Sequence, residues 1–162
     1  MSRYIQIVNS LGADGLGFPS VSVYFSICDK KEVTGCYCKN CQNEELQEHN
    51  IGSNLTKKEI IETISKKLTN LTKLIKSKPI LVFLGGEPLS SYNENYVRDI
   101  SKHFIHLGFE TMVYTWRTEE DLQSEKKDIS DFTYVVCGEY IEELKDENYI
   151  LGSTNQYIIT NK

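Results

Sequence analysis

Pro79-Ile80-Leu81-Val82-Phe83-Leu84 is the segment that most narrows what this chain can fold into. It is wholly apolar, too short for a stable helix, and ends on Gly85-Gly86. A strand of that kind is buried on both faces, as in parallel sheets covered by helices. Val21-Ser22-Val23-Tyr24-Phe25-Ser26-Ile27 alternates and is rich in β-branched and aromatic residues, so it predicts a second strand. Thr56 with Glu59 three residues on opens a helix. Its apolar stripe runs through Ile60, Ile61, Ile64, Leu68, Leu71, Leu74 and Ile75 to about Lys76. Further helices are expected from about Asn95 to Leu107, stopped by Gly108, and from Thr118 to Lys126. Strands are expected at Glu110 to Thr115, Thr133 to Cys137 and Tyr157 to Thr160.

Strands alternating with helices imply βαβ crossovers. They are too few to close an eight-stranded barrel. The expectation is an α/β fold, a partial, open (β/α) barrel with a mostly parallel sheet, formed by residues 1–162 as a single domain. No repeat, low-complexity tract or proline-rich linker marks a second one. In such sheets chemistry gathers at the carboxyl ends of the strands.

A net charge of −5 speaks against a nucleic-acid partner, because phosphate binding wants a basic face. Lys57, Lys58, Lys66, Lys67, Lys73, Lys76 and Lys78 are concentrated, yet they sit among apolar residues at helical spacing and read as a solvated helix face. No apolar run spans a membrane, and Met1 to Gln6 lacks the features of a signal peptide. A cytoplasmic protein is the expectation. In a reducing compartment clustered cysteines point to metal or redox chemistry rather than to disulfides.

Four of the five cysteines, Cys28, Cys36, Cys38 and Cys41, follow the first of these strands. Four thiolates can close a tetrahedral zinc site, and Cys38-Lys39-Asn40-Cys41 has the spacing of a redox pair. A three-thiolate iron–sulfur site differs in leaving one iron open to a further ligand. From the cysteines alone a metal site is favoured over free thiols, with zinc and iron–sulfur both open. Gly85-Gly86-Glu87-Pro88-Leu89 follows the apolar strand. Taken alone it is a plain turn; beside a cysteine cluster it offers backbone that can approach a ligand and a carboxylate that can hold an ammonium group. His49, His103 and His106 have no metal-ligand grouping with the cysteines and read as surface or helix residues.

Along nearly its whole length the chain resembles the activating proteins of anaerobic ribonucleoside-triphosphate reductase, which are small radical S-adenosylmethionine enzymes. Tyr24-Phe25-Ser26-Ile27-Cys28 with Cys38-Lys39-Asn40-Cys41-Gln42-Asn43 resembles the family's cluster loop. Leu84 to Leu89 resembles its S-adenosylmethionine motif, Val135 to Tyr140 a late strand and turn, and Leu151-Gly152-Ser153-Thr154-Asn155-Gln156 its characteristic tail. Ile7-Val8-Asn9-Ser10 agrees with it. The first two motifs are shared with many radical enzymes; the tail points to this subfamily.

The resemblance implies that Cys28, Cys38 and Cys41 hold a 4Fe–4S cluster whose fourth iron binds S-adenosyl-L-methionine. An electron then cleaves the sulfonium, giving methionine and a 5′-deoxyadenosyl radical that takes a hydrogen from a glycine of the partner reductase. Gly85, Gly86, Glu87, Pro88, Ser153 and Asn155 are the implied cofactor-binding residues. Glu87 would orient the ligand's ammonium. For Ser153 and Asn155 a hydrogen-bonded C-terminal turn is an equal reading. The implied partners are the large subunit of the reductase and a small electron-transfer protein such as flavodoxin, with no nucleic acid and no membrane.

The chain departs from the family pattern in three places. Nine residues separate Cys28 from Cys38, where the family loop is CxxxCxxC, and Cys36 intervenes as a bystander or occasional substitute. Cys137 stands where an Asp is usual, and Tyr114-Thr115-Trp116 replaces a common Tyr-Thr-Gly. These changes suit a divergent member. The alternatives are a radical enzyme acting on a different protein or small molecule and, in another class, a non-catalytic zinc-binding interaction module.

Overall fold

The computed structural model describes residues 3–48 and 51–161. His49 therefore lies outside the described residues. Among the described residues seven strands form one sheet: β1 (Arg3–Ser10), β2 (Ser20–Phe25), β3 (Ser53–Leu55), β4 (Ile80–Gly85), β5 (Thr111–Thr115), β6 (Tyr134–Cys137) and β7 (Tyr157–Thr160). The order across the sheet is β3-β1-β2-β4-β5-β6-β7. The helices are α1 (Lys30–Thr34), α2 (Lys57–Ile75), α3 (Glu94–His106) and α4 (Glu119–Ser124).

The fold is mixed α/β, and the sheet is open. Its centre, β2-β4-β5-β6, is parallel throughout. The expectation of a mostly parallel sheet holds for that centre only, since β1 and β3 on one side and β7 on the other pair antiparallel. The apolar run takes the central position as its composition requires: Ile80 to Leu84 are buried on both faces of β4.

The two faces are covered differently. Val21, Val23 and Phe25 of β2, Leu81 and Phe83 of β4, Val113 and Val135 pack under Ile60, Ile64, Leu68 and Leu71 of α2 and Val97, Ile100 and Phe104 of α3. The period of 2 in the strands meets the period of 3.6 in the helices in this core. The opposite face carries Ile80, Val82, Leu84, Met112 and Val136. It is covered by Leu16 from the β1–β2 connection and Leu151 from the tail.

Local signals explain the helix ends. Thr56 and Glu59 form the expected reciprocal cap of α2, with the Thr56 amide donating to Glu59 at 2.8 Å. Leu74, placed on the apolar stripe by spacing, is 76% exposed, while Ile75 beside it packs against the core, so the buried stripe passes Leu74 by. Gly108, at φ +80°, ends the α3 region as expected. Lys126 at φ +54° reverses the chain after α4, so that helix stops at Ser124 rather than Lys126.

Candidate metal centre

β2 and β4 run side by side and end together, with Phe25 opposite Gly85. The chain after β2 carries Cys28; the chain after β4 turns through Gly86 and Glu87. The two are stitched by the Gly86 amide donating to Phe25 O at 2.7 Å and the Glu87 amide donating to Ile27 O at 2.8 Å. Ile27 sits at φ +76°, an uncommon conformation for a β-branched residue. Its amide and that of Cys28 donate back to Leu46 O and Gln47 O, at 2.8 and 2.9 Å, which closes the cysteine loop on itself.

A cleft of about 380 Å³ opens at this end of the sheet. Cys28, Cys38 and Cys41 line it, as do Gly85, Gly86, Glu87 and Pro88. Tyr114, Thr115 and Trp116 close one side; Leu151, Gly152 and Gln156 bring the tail to it. Cys36 is exposed and is not among the lining residues. Cys137 is buried in the helix-covered core, on the other face of the sheet. All five cysteines are free thiols. Burial pushes Cys28 up to about 12 and Cys38 up to about 11. Lys30, 3.0 Å from Glu139, opposes the shift at Cys38. Among the described residues, no three of His, Cys, Asp or Glu gather closely enough to hold one metal ion.

Glu87 lines the cleft, but its carboxylate is turned inward. It is 1% exposed and accepts from the amides of Leu89 at 2.9 Å and Trp116 at 3.1 Å. Arg117 Nη1 lies 3.7 Å away. Desolvation outweighs that cation and, helped by the nearby Asp29, brings Glu87 up to about 7. The expected free carboxylate for an ammonium group is thus already engaged by protein donors.

Ser153 and Asn155 are not among the lining residues. Ser153 Oγ donates to Asn155 Oδ1 at 2.7 Å and accepts from the Ile141 amide at 3.1 Å, while Asn155 Nδ2 donates to Glu139 O at 2.8 Å. They tie the tail turn to the chain after β6 and so hold its neighbours at the cleft. Gln156, which does line it, bridges Gly138 O at 2.9 Å and the Ser153 amide at 3.0 Å.

Sequence reading missed a buried ionic group under the cleft. Arg117, just past β5, is 1% exposed and meets Asp29, Glu87 and Glu125. The carboxylates come from three separate segments, so no local spacing announces them. The only signals were an Arg-Thr step after an apolar strand and an Asp directly after Cys28.

Three thiols of one loop line the cleft without gathering into one ligand set, and thiolate is a soft donor that suits iron–sulfur clusters and zinc alike. The fold and site are those of an open α/β sheet with a thiol-lined cleft at the ends of its parallel strands. A family model described as a 4Fe-4S single cluster domain matches residues 13–159, and the chain belongs to that family. That match decides for iron–sulfur over zinc. No curated protein and no solved structure matches the chain. Among the described residues, no helix is long and apolar enough to cross a membrane.

Proposed function

We propose that this protein is a radical S-adenosylmethionine activase that generates a glycyl radical on an anaerobic ribonucleoside-triphosphate reductase. One observation carries the reading. The three cysteines of the CxxC-bearing loop and the Gly85-Gly86-Glu87-Pro88 turn, far apart in sequence, line one cleft that the Leu151 to Gln156 tail helps to close.

Cys28, Cys38 and Cys41 are the residues that would hold the cluster. When bound and reduced, the cluster supplies the electron for sulfonium cleavage. The chain supplies enclosure. Pro88 and the glycine pair shape one wall, Trp116 and Tyr114 another, and Ser153 and Asn155 fix the tail. Glu87 acts from beneath, holding the turn through the Leu89 and Trp116 amides. In this reading the open sheet is a partial barrel whose missing side a partner covers. The size of the cleft supports a protein substrate: about 380 Å³ is near the low end of small-molecule sites, roughly 300–1,000 Å³, and leaves little beyond one cofactor ligand. A small electron-transfer protein such as a flavodoxin would supply the electron, in a cytoplasmic setting.

Trp116 and Cys137, both off the family pattern, favour a second reading, in which the same chemistry serves a different substrate. The deciding experiment mixes reconstituted, reduced protein with S-adenosylmethionine and the candidate reductase without oxygen, and records the electron paramagnetic resonance spectrum. A glycyl-radical doublet that requires S-adenosylmethionine and Cys41 is expected. Cleavage of S-adenosylmethionine without that doublet moves the assignment to the second reading. No cleavage by an intact cluster removes both.

A further inference from the structure

Asp29 directly follows Cys28 and precedes α1, yet its side chain makes no cap to that helix. It points to Arg117 instead. Arg117 Nη1 donates to Asp29 Oδ1 at 3.2 Å and Nη2 to Oδ2 at 2.7 Å, a two-pronged pairing in which both residues are buried. Arg117 Nε donates to both oxygens of Glu125, at 3.0 and 2.9 Å. The Trp116 ring lies 4.4 Å from the guanidinium carbon, and its Nε1 donates to Asp29 Oδ1 at 3.2 Å. One buried cation thus joins the residue after the first cysteine, the turn after β4, the end of β5 and the end of α4.

We infer that Arg117 is a positioning residue that fixes Cys28 at the cleft by gripping Asp29, with Trp116 as the wall of that grip. The inference rests on Cys28 being a cluster ligand. Cys28 follows Ile27, at φ +76°; the Cys28 amide is held by Gln47 O at 2.9 Å, and Asp29 is the buried side-chain anchor just beyond it. Only a planar guanidinium can make the paired contact to Asp29 and still reach Glu125 through Nε; a lysine ammonium is a single point charge. Residues that orient metal ligands typically change metal affinity by roughly 10–100-fold when altered.

The test uses Arg117→Lys and Asp29→Asn, purified as full chains and reconstituted without oxygen. Both variants should lose iron to a chelator roughly 10–100-fold faster than wild type. Asp29→Asn removes a negative charge beside the first ligand and should also raise the midpoint potential, whereas Arg117→Lys keeps its charge. In the metal-free proteins both should shift the emission of Trp116, which reports the grip without any cluster. Should Arg117→Lys fail to fold, Asp29→Asn decides alone, since the amide matches the carboxylate in size and removes only its charge and one acceptor. Wild-type iron retention and an unchanged potential, with only the melting temperature lowered, would show mere fold support and overturn the inference. Cys28→Ala tests the underlying ligand reading separately: if it retains full iron, that reading fails instead.

Discussion

The carbonyl oxygen of Ile27 occupies the space that a β-carbon on Gly86 would need, 2.5 Å from where that carbon would stand. Leu46 O would be 2.6 Å from it, and a β-carbon on Gly85 would meet Phe25 O at 2.5 Å. These neighbours are backbone and cannot step aside. The glycine pair is therefore set first by the close approach of the β4 turn to the cysteine loop. Gly86→Ala should push the two apart, costing about 1–3 kcal/mol by overpacking and lowering iron content as well. Gly35→Ala is the control: it has a positive φ but nothing within 4 Å, so it should lose some stability and keep its iron. Urea unfolding of metal-free protein and iron counts after reconstitution separate the two. Equal iron loss in both variants would detach the effect from the Gly86 contact.

The cysteines should divide by place. Cys28→Ala, Cys38→Ala and Cys41→Ala should each abolish stable cluster binding, and Cys36→Ala and Cys137→Ala should spare most of it. In metal-free protein, Cys36 is exposed and should alkylate first, while Cys137, buried in the core, should react last. Mass spectrometry of timed samples reads the order, and iron and sulfide counts read the ligands. Cluster loss in Cys36→Ala with retention in Cys38→Ala would reverse the assignment.

Glu87 gives the metal-free fold a pH dependence. Burial, opposed by Arg117 and aided by Asp29, holds its carboxyl near 7 against a usual 4.5. The folded state then keeps a proton that the unfolded state has released. The stability linked to it is fully present below about pH 4.5 and is lost as the pH rises through about 7. Glu87→Gln cannot titrate, so its melting temperature relative to wild type should climb from pH 5 to pH 8. A constant difference would mean that Glu87 ionises normally in the fold.

Much of the fold was legible because the core strands and the two long helices carry their periods plainly. Ile80 to Leu84, the Thr56–Glu59 cap and the Gly108 stop all appear where spacing puts them. The antiparallel edge was not read. β1 alternates, with Ile5 and Ile7 facing the helices, but its polar outer face weakens the signal. β3 has only three residues. At the site, the cysteines and glycines were visible as local motifs, and the structure brings Cys28, Cys38, Cys41, Gly85 and Gly86 to one cleft. Arg117 was not, since its partners at positions 29, 87 and 125 meet only in three dimensions. Glu87 was visible as a carboxylate but not as an engaged one, because backbone donors from Leu89 and Trp116 leave no mark in sequence.

Trp116 is the only tryptophan and lines the same cleft as Cys28, Cys38 and Cys41. Its emission should therefore report what the cleft contains. An iron–sulfur cluster absorbs broadly through the near ultraviolet and visible, so loading one beside the indole should quench most of the fluorescence. Zinc is a closed-shell ion without such absorption and should leave the emission largely intact. Reconstitution with iron and sulfide should thus darken Trp116 in step with iron content, and a chelator should restore it. Cys41→Ala should stay bright under the same treatment, and Cys36→Ala should darken as wild type does. Trp116→Phe removes the signal and gives the background from the ten tyrosines. Full iron and sulfide content with undiminished Trp116 emission would place the cluster elsewhere on the chain, and the cleft would have to be reassigned.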